Sequence, residues 1–226
     1  MSNLEDINYY IDKYKFFDIL PKNLLIKSNI MSLKSKDILC AQGDFINKLF
    51  FLVEGRLKTT APLPNGQQLL LRFSHPLSVV GELEIFNDIK IQSLVTCEEN
   101  SRLIYYDKQD IVNYAYNYMP FMHYINKELG YKLYTLSNAA SINLLYPLIN
   151  RFSSYLLSFN NANIRTYELH TDSLKNIAEL LGTSPRHLRR VISKLTKENI
   201  IIREKYQFTI LDSNALKKYA TTQLYI

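Results

Sequence analysis

Residues 171–199 constrain the fold of this chain most, because they read as two short helices joined by a tight turn. Apolar residues of the first helix have the spacing of a single helical face: Leu174, Ile177, Ala178 and Leu181. Gly182 follows, and glycine favours the left-handed conformation that ends many helices. Ser184 and Pro185 are typical of a helix start, as the cap and the first helical residue. The segment therefore predicts a helix-turn-helix.

The second helix of this segment has two faces of opposite character. Its apolar stripe consists of Leu188, Val191, Ile192 and Leu195. At about 100° per residue, Arg186 and Arg190 point away from that stripe, and we expect them to read base edges in a DNA major groove. Three flanking basic residues are expected toward the phosphates: His187, Arg189 and Lys194. Ser184, at the start of the helix, is also expected among the DNA-binding residues. The alternative is a solvated basic face.

A winged helix is indicated by the residues that follow. Ile200–Arg203 and Tyr206–Leu211 read as two strands around a turn at Glu204-Lys205. Arg203, Lys205 and Tyr206 would lie at the tip of this wing, where they could contact a phosphate backbone.

The charge distribution suggests that one part of the chain has a polyanionic partner. The net charge is +6, yet residues 1–146 contain 15 basic and 15 acidic side chains. Residues 147–226 contain 12 basic and six acidic side chains, so the whole excess lies there. We therefore predict two domains, 1–146 and 147–226, with double-stranded DNA as the partner of the second.

Composition argues against several other classes of protein. The N-terminus lacks the positive charge and cleavage site of a signal peptide, and no apolar run approaches the roughly 20 residues of a membrane span. We thus expect a soluble cytoplasmic protein without membrane contact. Cys40 and Cys97 are too few for an all-cysteine metal site and read as buried apolar residues, with a regulatory disulfide as the alternative. His75 is the one histidine among the predicted strands, so we expect neither a metal, a haem nor an enzyme.

The first half of the chain reads as many short strands separated by turns. The strand candidates are Ile38–Ala41, Lys48–Val53, Arg56–Ala61, Gln68–Phe73, Ser93–Cys97 and Arg102–Tyr106. Asn65-Gly66 is a strong hairpin signal because both residues tolerate positive φ. This spacing predicts a β-sandwich or jelly roll.

A long helix is expected over residues 120–146, between Pro120 and Pro147. Its loose apolar stripe contains Ile125, Leu129, Leu136, Ala140 and Leu144. A helix of about 26 residues would be near 39 Å long, which suits a seam between two copies of the chain. Packing of the helix on its own barrel is the alternative, because Lys132 and Asn143 lie close to the stripe.

The order barrel, long helix, winged helix resembles the Crp/Fnr family of bacterial transcription regulators. The resemblance rests on GDFINKLFFLVEGRLKT (43–59), NGQQLLLRF (65–73), VVGELEIF (79–86) and the helix-turn-helix, with the YeiL-like branch as the nearest suggestion. It implies an α+β fold with a cyclic-nucleotide-binding-like β jelly roll, a dimerisation helix and a winged helix-turn-helix. It also implies a homodimer that binds an inverted repeat and contacts RNA polymerase.

The resemblance also implies an effector pocket in the barrel. Gly81, Glu82 and Leu83 match the start of the family's phosphate-binding cassette, and Ser93 matches its serine. Gln92 stands where the cyclic-nucleotide sensors have arginine, and glutamine supplies neither the charge nor the bidentate fork. This departure predicts that the barrel does not bind cAMP, and no cofactor is expected.

Three further residues bear on that pocket. The long-helix position that faces a nucleotide base in the family corresponds to Leu136, with Ser137 next to it. Arg72 could point into the barrel and replace the missing charge, or face solvent. A second hypothesis for the whole chain is a small-molecule-binding protein whose helix-turn-helix makes protein contacts only.

Overall fold

The computed structural model describes residues 3–62, 68–158, 168–170, 173–204 and 207–220. Its contacts divide the chain into two compact units, residues 1–133 and 134–226. The division falls inside the long helix, 13 residues before the predicted boundary at 146/147. The first part of that helix is counted with the barrel because its apolar residues pack into the barrel core.

The first unit begins with short helical segments. Helix α1 spans Asn3–Lys13, a 3₁₀ turn follows at Phe16–Asp18, and α2 spans Lys22–Leu25. Acidic residues in the first turn of α1 and Lys13 in its last turn both complement the helix dipole.

Two antiparallel four-stranded sheets form the barrel. Their strands are β1 (Asn29–Leu33), β2 (Ile38–Cys40), β3 (Lys48–Glu54), β4 (Leu57–Pro62), β5 (Gln68–Ser74), β6 (Val79–Val80), β7 (Leu94–Cys97) and β8 (Ser101–Asp107). One sheet has the order β1-β8-β3-β6 and the other β2-β7-β4-β5. Helix α3, Glu82–Asn87, follows β6. The six predicted strands are confirmed, β1 and β6 were missed, and Asn65-Gly66 lies outside the described residues.

The first unit has two apolar clusters, one on each side of the sheet that contains β3. One contains Phe16, Phe51 and Tyr106, all fully buried, and the other contains Leu52, Leu57 and Leu103. Strand β3 supplies residues to both clusters because its side chains alternate between the two sides of the sheet.

The long helix is present, but its first half does not serve as an open seam. Helix α4 (Lys108–Asp110) and a π turn (Ile111–Ala115) lead into α5, Met119–Leu145, of 27 residues. Ile125 is buried in the barrel core and Leu129 packs against it. In this half the helix covers its own barrel, which was the alternative role predicted for the stripe, and a seam between two copies stays a prediction. No helix in the described ranges is long and apolar enough to span a bilayer.

The second unit is a winged helix-turn-helix. Its elements are α6 (Leu148–Ser158), β9 (Glu168–His170), α7 (Leu174–Leu180), α8 (Pro185–Lys197), β10 (Ile201–Glu204), β11 (Gln207–Ile210) and α9 (Ser213–Tyr219). The three strands form an antiparallel sheet in the order β10-β11-β9. The predicted two-stranded wing is confirmed, and β9 is an unpredicted third strand.

Candidate nucleic-acid interface and barrel cavity

Local capping sets the turn between α7 and α8. Gly182 has a φ of 57°, the left-handed conformation that glycine adopts without a steric cost. The Ser184 hydroxyl accepts a hydrogen bond from the His187 backbone N–H at 3.2 Å, and Pro185 occupies the first turn of α8. The predicted turn and cap are therefore confirmed, and together they fix where α8 begins.

Helix α8 presents a basic face opposite a buried one. Leu188, Val191, Ile192 and Leu195 are buried in the core of the unit, as predicted. Four predicted DNA-contacting side chains on α8 are exposed: Arg186, His187, Arg189 and Arg190. Within the described ranges, the three arginines form no ion pair. Their guanidinium groups are thus available to an anionic partner.

Two further predicted contacts, Lys194 and Arg203, differ in their surroundings. Lys194 lies 4.0 Å from Glu198 and 5.4 Å from the centre of the Tyr219 ring, so part of its charge is engaged within the protein. Arg203 is exposed on β10. Lys205 and Tyr206, predicted at the wing tip, lie outside the described residues.

A buried arginine supports the turn and was missed by the sequence analysis. Arg151 on α6 is only 9% exposed, and its Nη1 donates to the carbonyl oxygen of Leu181 at the end of α7. The last carbonyls of a helix lack partners within the helix, and a cation there also suits the helix dipole. The signal was a single charge in the otherwise uncharged segment LINRFSSYLLS.

The barrel contains a cavity with a volume of about 80 Å³, formed where α3, the sheets and α5 of the first unit meet. Five of the predicted effector residues line it: Arg72, Gly81, Glu82, Leu83 and Ser93. Gly81 has a φ of 100°, and a Cβ there would lie 2.7 Å from the carbonyl oxygen of Lys48. Glycine is thus required for the chain to turn from β6 into α3 at this wall.

An ion pair that the sequence analysis did not predict occupies one wall of the cavity. The Lys132 ammonium on α5 donates to the Glu82 carboxylate at 2.5 Å and to the Val79 carbonyl oxygen at 2.7 Å. The two side chains are 14% and 6% exposed. Glu82, expected to face an effector, is therefore neutralised by the protein itself.

Arg72 points inward, which resolves the alternative left open by the sequence. Its guanidinium lines the cavity, and Nη1 is buried with no hydrogen-bond partner among the described residues. Burial lowers the pKa of Arg72, while the carboxylates of Glu82, Glu128 and Glu84 oppose that shift. Burial also raises the pKa values of Glu84 and Glu128.

The other three predicted effector residues do not line this cavity. Gln92 is exposed, and its amide nitrogen donates to the Lys90 carbonyl oxygen at 2.9 Å, because it lies in the turn before β7. Leu136 and Ser137 are exposed on α5 beyond the first unit. The lining of this cavity does not include them, and their part in an effector site stays a prediction.

The cysteines are buried thiols. Cys40 and Cys97 are 6% and 2% exposed, and both are free. Burial raises the pKa of Cys40 to about 12 and also raises the pKa of Cys97. Because the thiolate is the reactive form, both are kept unreactive in the folded barrel. In the part of the chain that the structure describes, no cluster of three potential metal ligands is found.

Comparison with known proteins matches both halves of the chain. The cyclic nucleotide-binding domain profile matches residues 30–117, and the Crp-like helix-turn-helix domain profile matches residues 150–219. Regulatory protein YeiL of Escherichia coli O157:H7 is 23% identical over 205 residues, which cover 91% of each chain.

Solved structures share the fold. The c-di-GMP-responsive regulator CLP of Xanthomonas campestris has a TM-score of 0.77 at 16% identity, covering 84% of this chain and 97% of that one. A transcriptional regulator of the crp/fnr family from Eubacterium rectale has a TM-score of 0.74 at 18% identity, covering 88% and 92%. With a barrel, a long helix and a capped winged helix-turn-helix in this order, the chain belongs to the Crp/Fnr family of transcriptional regulators.

Proposed function

We propose that the chain is a homodimer that binds an inverted repeat in DNA through Arg186 and Arg190. The observation that carries this proposal is the face of α8, where arginines without an ion pair among the described residues stand opposite a buried stripe and next to a capped N-terminus. A recognition helix inserts that end into the major groove, where arginine pairs with guanine through O6 and N7. Arg189 and His187 would lie toward the phosphates.

The test is selection of bound DNA from a random pool, followed by titrations of the selected site. Arg186→Ala and Arg190→Ala should each remove about 1–3 kcal/mol of discrimination at one base pair. Arg189→Ala should weaken specific and random DNA alike, and Lys218→Ala on α9 is the matched control for a lost surface charge. Equal weakening on both DNAs by all three arginine variants would refute base reading.

The second half of α5 supplies the support for a dimer. Four large apolar or aromatic side chains are exposed from the middle of α5 onward: Tyr131, Leu133, Tyr134 and Leu136, each at least 41% exposed. A two-fold dimer would set its half-sites about 34 Å apart, or a multiple of that, on one face of the duplex. Light scattering should give twice the chain mass of 26.5 kDa. A monomer at micromolar concentration, with or without DNA, would exclude this arrangement.

The barrel is proposed to act without cAMP. A phosphate entering the cavity would meet the carboxylate of Glu84, and of the two cations there Lys132 is already paired with Glu82, which leaves Arg72 alone to oppose the charge. The cavity, at about 80 Å³, is also below the roughly 300–1,000 Å³ of typical small-molecule sites. Calorimetry should detect no cAMP binding to the wild type at micromolar concentration, and micromolar binding would overturn the proposal. Gln92→Arg tests whether the missing charge alone is responsible.

Two further features complete the proposal. A regulator of this kind works in the bacterial cytoplasm and, in an activating role, contacts RNA polymerase.

The competing function is a small-molecule-binding protein whose helix-turn-helix contacts only other proteins. Salt discriminates between the two, because a protein that neutralises DNA phosphates loses affinity steeply as salt is added.

A further inference from the structure

The cavity of the barrel contains more charge than its internal ion pair accounts for. Four charged side chains line it: Arg72, Glu82, Glu84 and Lys132. Glu82 and Lys132 are paired with each other at 2.5 Å. Arg72 and Glu84 act on each other electrostatically and Glu84 accepts a hydrogen bond from its own backbone N–H, but neither forms a salt bridge among the described residues, so they are the cation and the anion that remain for a ligand.

Arg72 requires an acceptor that the described residues do not provide. Its Nη1 atom is inaccessible to solvent and has no hydrogen-bond partner among them. Buried polar groups in folded proteins are almost always hydrogen-bonded, so Arg72 is the side chain of the cavity wall that most requires an acceptor. A carboxylate is the group that fits a guanidinium fork with two parallel hydrogen bonds.

The charges around Arg72 exclude a ligand that is only an anion. The carboxylates of Glu82, Glu84 and Glu128 act on Arg72 electrostatically, so three carboxylates already stand against Arg72 and Lys132. An anion would add a further negative charge to this partly buried group, where like charges repel more strongly than in bulk water. A ligand with its own positive group would instead satisfy Glu84.

The size of the cavity limits the ligand further. A buried water occupies about 10–15 Å³ of cavity volume, so the cavity of about 80 Å³ holds roughly five to eight non-hydrogen atoms of the size of a water molecule. Ser93, Thr59 and Ser74 add hydroxyl groups to the wall, while Val79, Ile91 and Val95 add apolar surface. A molecule with two charged ends and a short carbon skeleton matches this lining.

We propose that the barrel binds a small free amino acid in its zwitterionic form, with the carboxylate on Arg72 and the ammonium on Glu84. This inference rests on the proposed function, since it gives the sensor barrel its class of effector. Glu82 and Lys132 remain paired and form one wall of the site.

Three ligands that share one skeleton test the charge requirement in the full-length protein. L-alanine has both charges, lactate lacks the ammonium group, and L-alaninamide lacks the carboxylate. Calorimetry should detect L-alanine, with glycine, L-serine and L-threonine as further zwitterions, and should give at least tenfold weaker binding of lactate and alaninamide. Lactate binding as tight as that of alanine, or no zwitterion bound at millimolar concentration, would overturn the proposal.

Two variants test which side chain binds which charged end of the ligand, because each should change a ligand preference and not only weaken binding. Glu84→Gln should narrow the preference for alanine over lactate, and Arg72→Gln should narrow the preference for alanine over alaninamide. Glu99→Gln and Arg102→Gln, outside the cavity, are the matched controls and should keep both preferences. Unaltered preferences in both cavity variants would refute the assignment.

DNA titration of the same preparation separates the two proposals. DNA binding without zwitterion binding would reject the effector class and leave the regulator intact. Zwitterion binding without DNA binding would reject the proposed DNA function and leave the cavity assignment standing.

Discussion

Replacing Lys132 with methionine should destabilise the barrel unit strongly. The substitution preserves most of the volume of the side chain but leaves the Glu82 carboxylate, 6% exposed, without its cation. Removing one partner of a buried ion pair costs about 3–5 kcal/mol, because the remaining charge is desolvated and unpaired. For a unit of 133 residues, this corresponds to a fall in Tm of about 10–20 °C.

Thiol labelling measures this effect in the full-length chain. Cys40 and Cys97 are both buried in the first unit, so their labelling during a thermal ramp reports the unfolding of that unit alone. Lys108→Met is the matched control. Its partner Asp88 is 81% exposed, and such surface pairs contribute about 0–1 kcal/mol.

A double-mutant cycle assigns the loss to the pair itself. Glu82→Gln should also destabilise the unit, and combining it with Lys132→Met should cost less than the two single changes added together. An effect of Lys132→Met no larger than that of Lys108→Met, or strict additivity in the cycle, would refute this reasoning.

Three further perturbations address the turn at Gly81, the cap of α8 and the buried thiol. Gly81→Ala should destabilise the barrel by more than about 1 kcal/mol, because φ is positive there and the new Cβ would lie close to the Lys48 carbonyl oxygen. Gly130→Ala should instead stabilise α5 by about 0.5–1 kcal/mol, because nothing lies within 4 Å of the new Cβ. Equal effects of the two variants in urea titrations would contradict this. Ser184→Ala should cost the second unit about 0.5–2 kcal/mol and Ser184→Gly only a few tenths, measured by thermal unfolding; identical losses would argue against a capping role. Because burial raises its pKa to about 12, the Cys40 thiol stays protonated at pH 8. Iodoacetamide should therefore label Cys40 only after unfolding, which mass spectrometry can measure. Rapid labelling of the folded protein would contradict the argument from burial.

Local signals in the sequence were sufficient to predict the DNA-binding unit. Gly182, Ser184 and Pro185 act through their own backbone or the next turn, so their roles can be read from neighbouring residues. The spacing of Leu188 and Leu195 likewise needs only the helical period. Strand β1 was missed because Asn29–Leu33 has no fully buried residue and lacks a clear alternation.

The lining of the barrel cavity could not be predicted from local sequence patterns, because it depends on strand register and on contacts between residues far apart in the chain. The register between β4 and β5 shifts between Thr59 and Thr60, so simple alternation along β5 cannot give the direction of Arg72. The Lys132–Glu82 pair joins residues 50 positions apart, and from the sequence Lys132 looked like a flaw in an apolar stripe. Gln92 was placed by family resemblance, which does not specify how a turn orients a side chain.

The Arg151 contact has a consequence for how the second unit exchanges with the unfolded state. Helix α6 contributes Leu148, Phe152 and Leu156 to the same core as α8, and its arginine holds the end of α7. Helices that share a core and a buried hydrogen bond open together, so amide protons of α6 and α8 should exchange with deuterium at similar free energies. The smallest fragment that folds around α8 must then begin before residue 148, although Arg186 and Arg190, which we propose read bases, lie about 40 positions later.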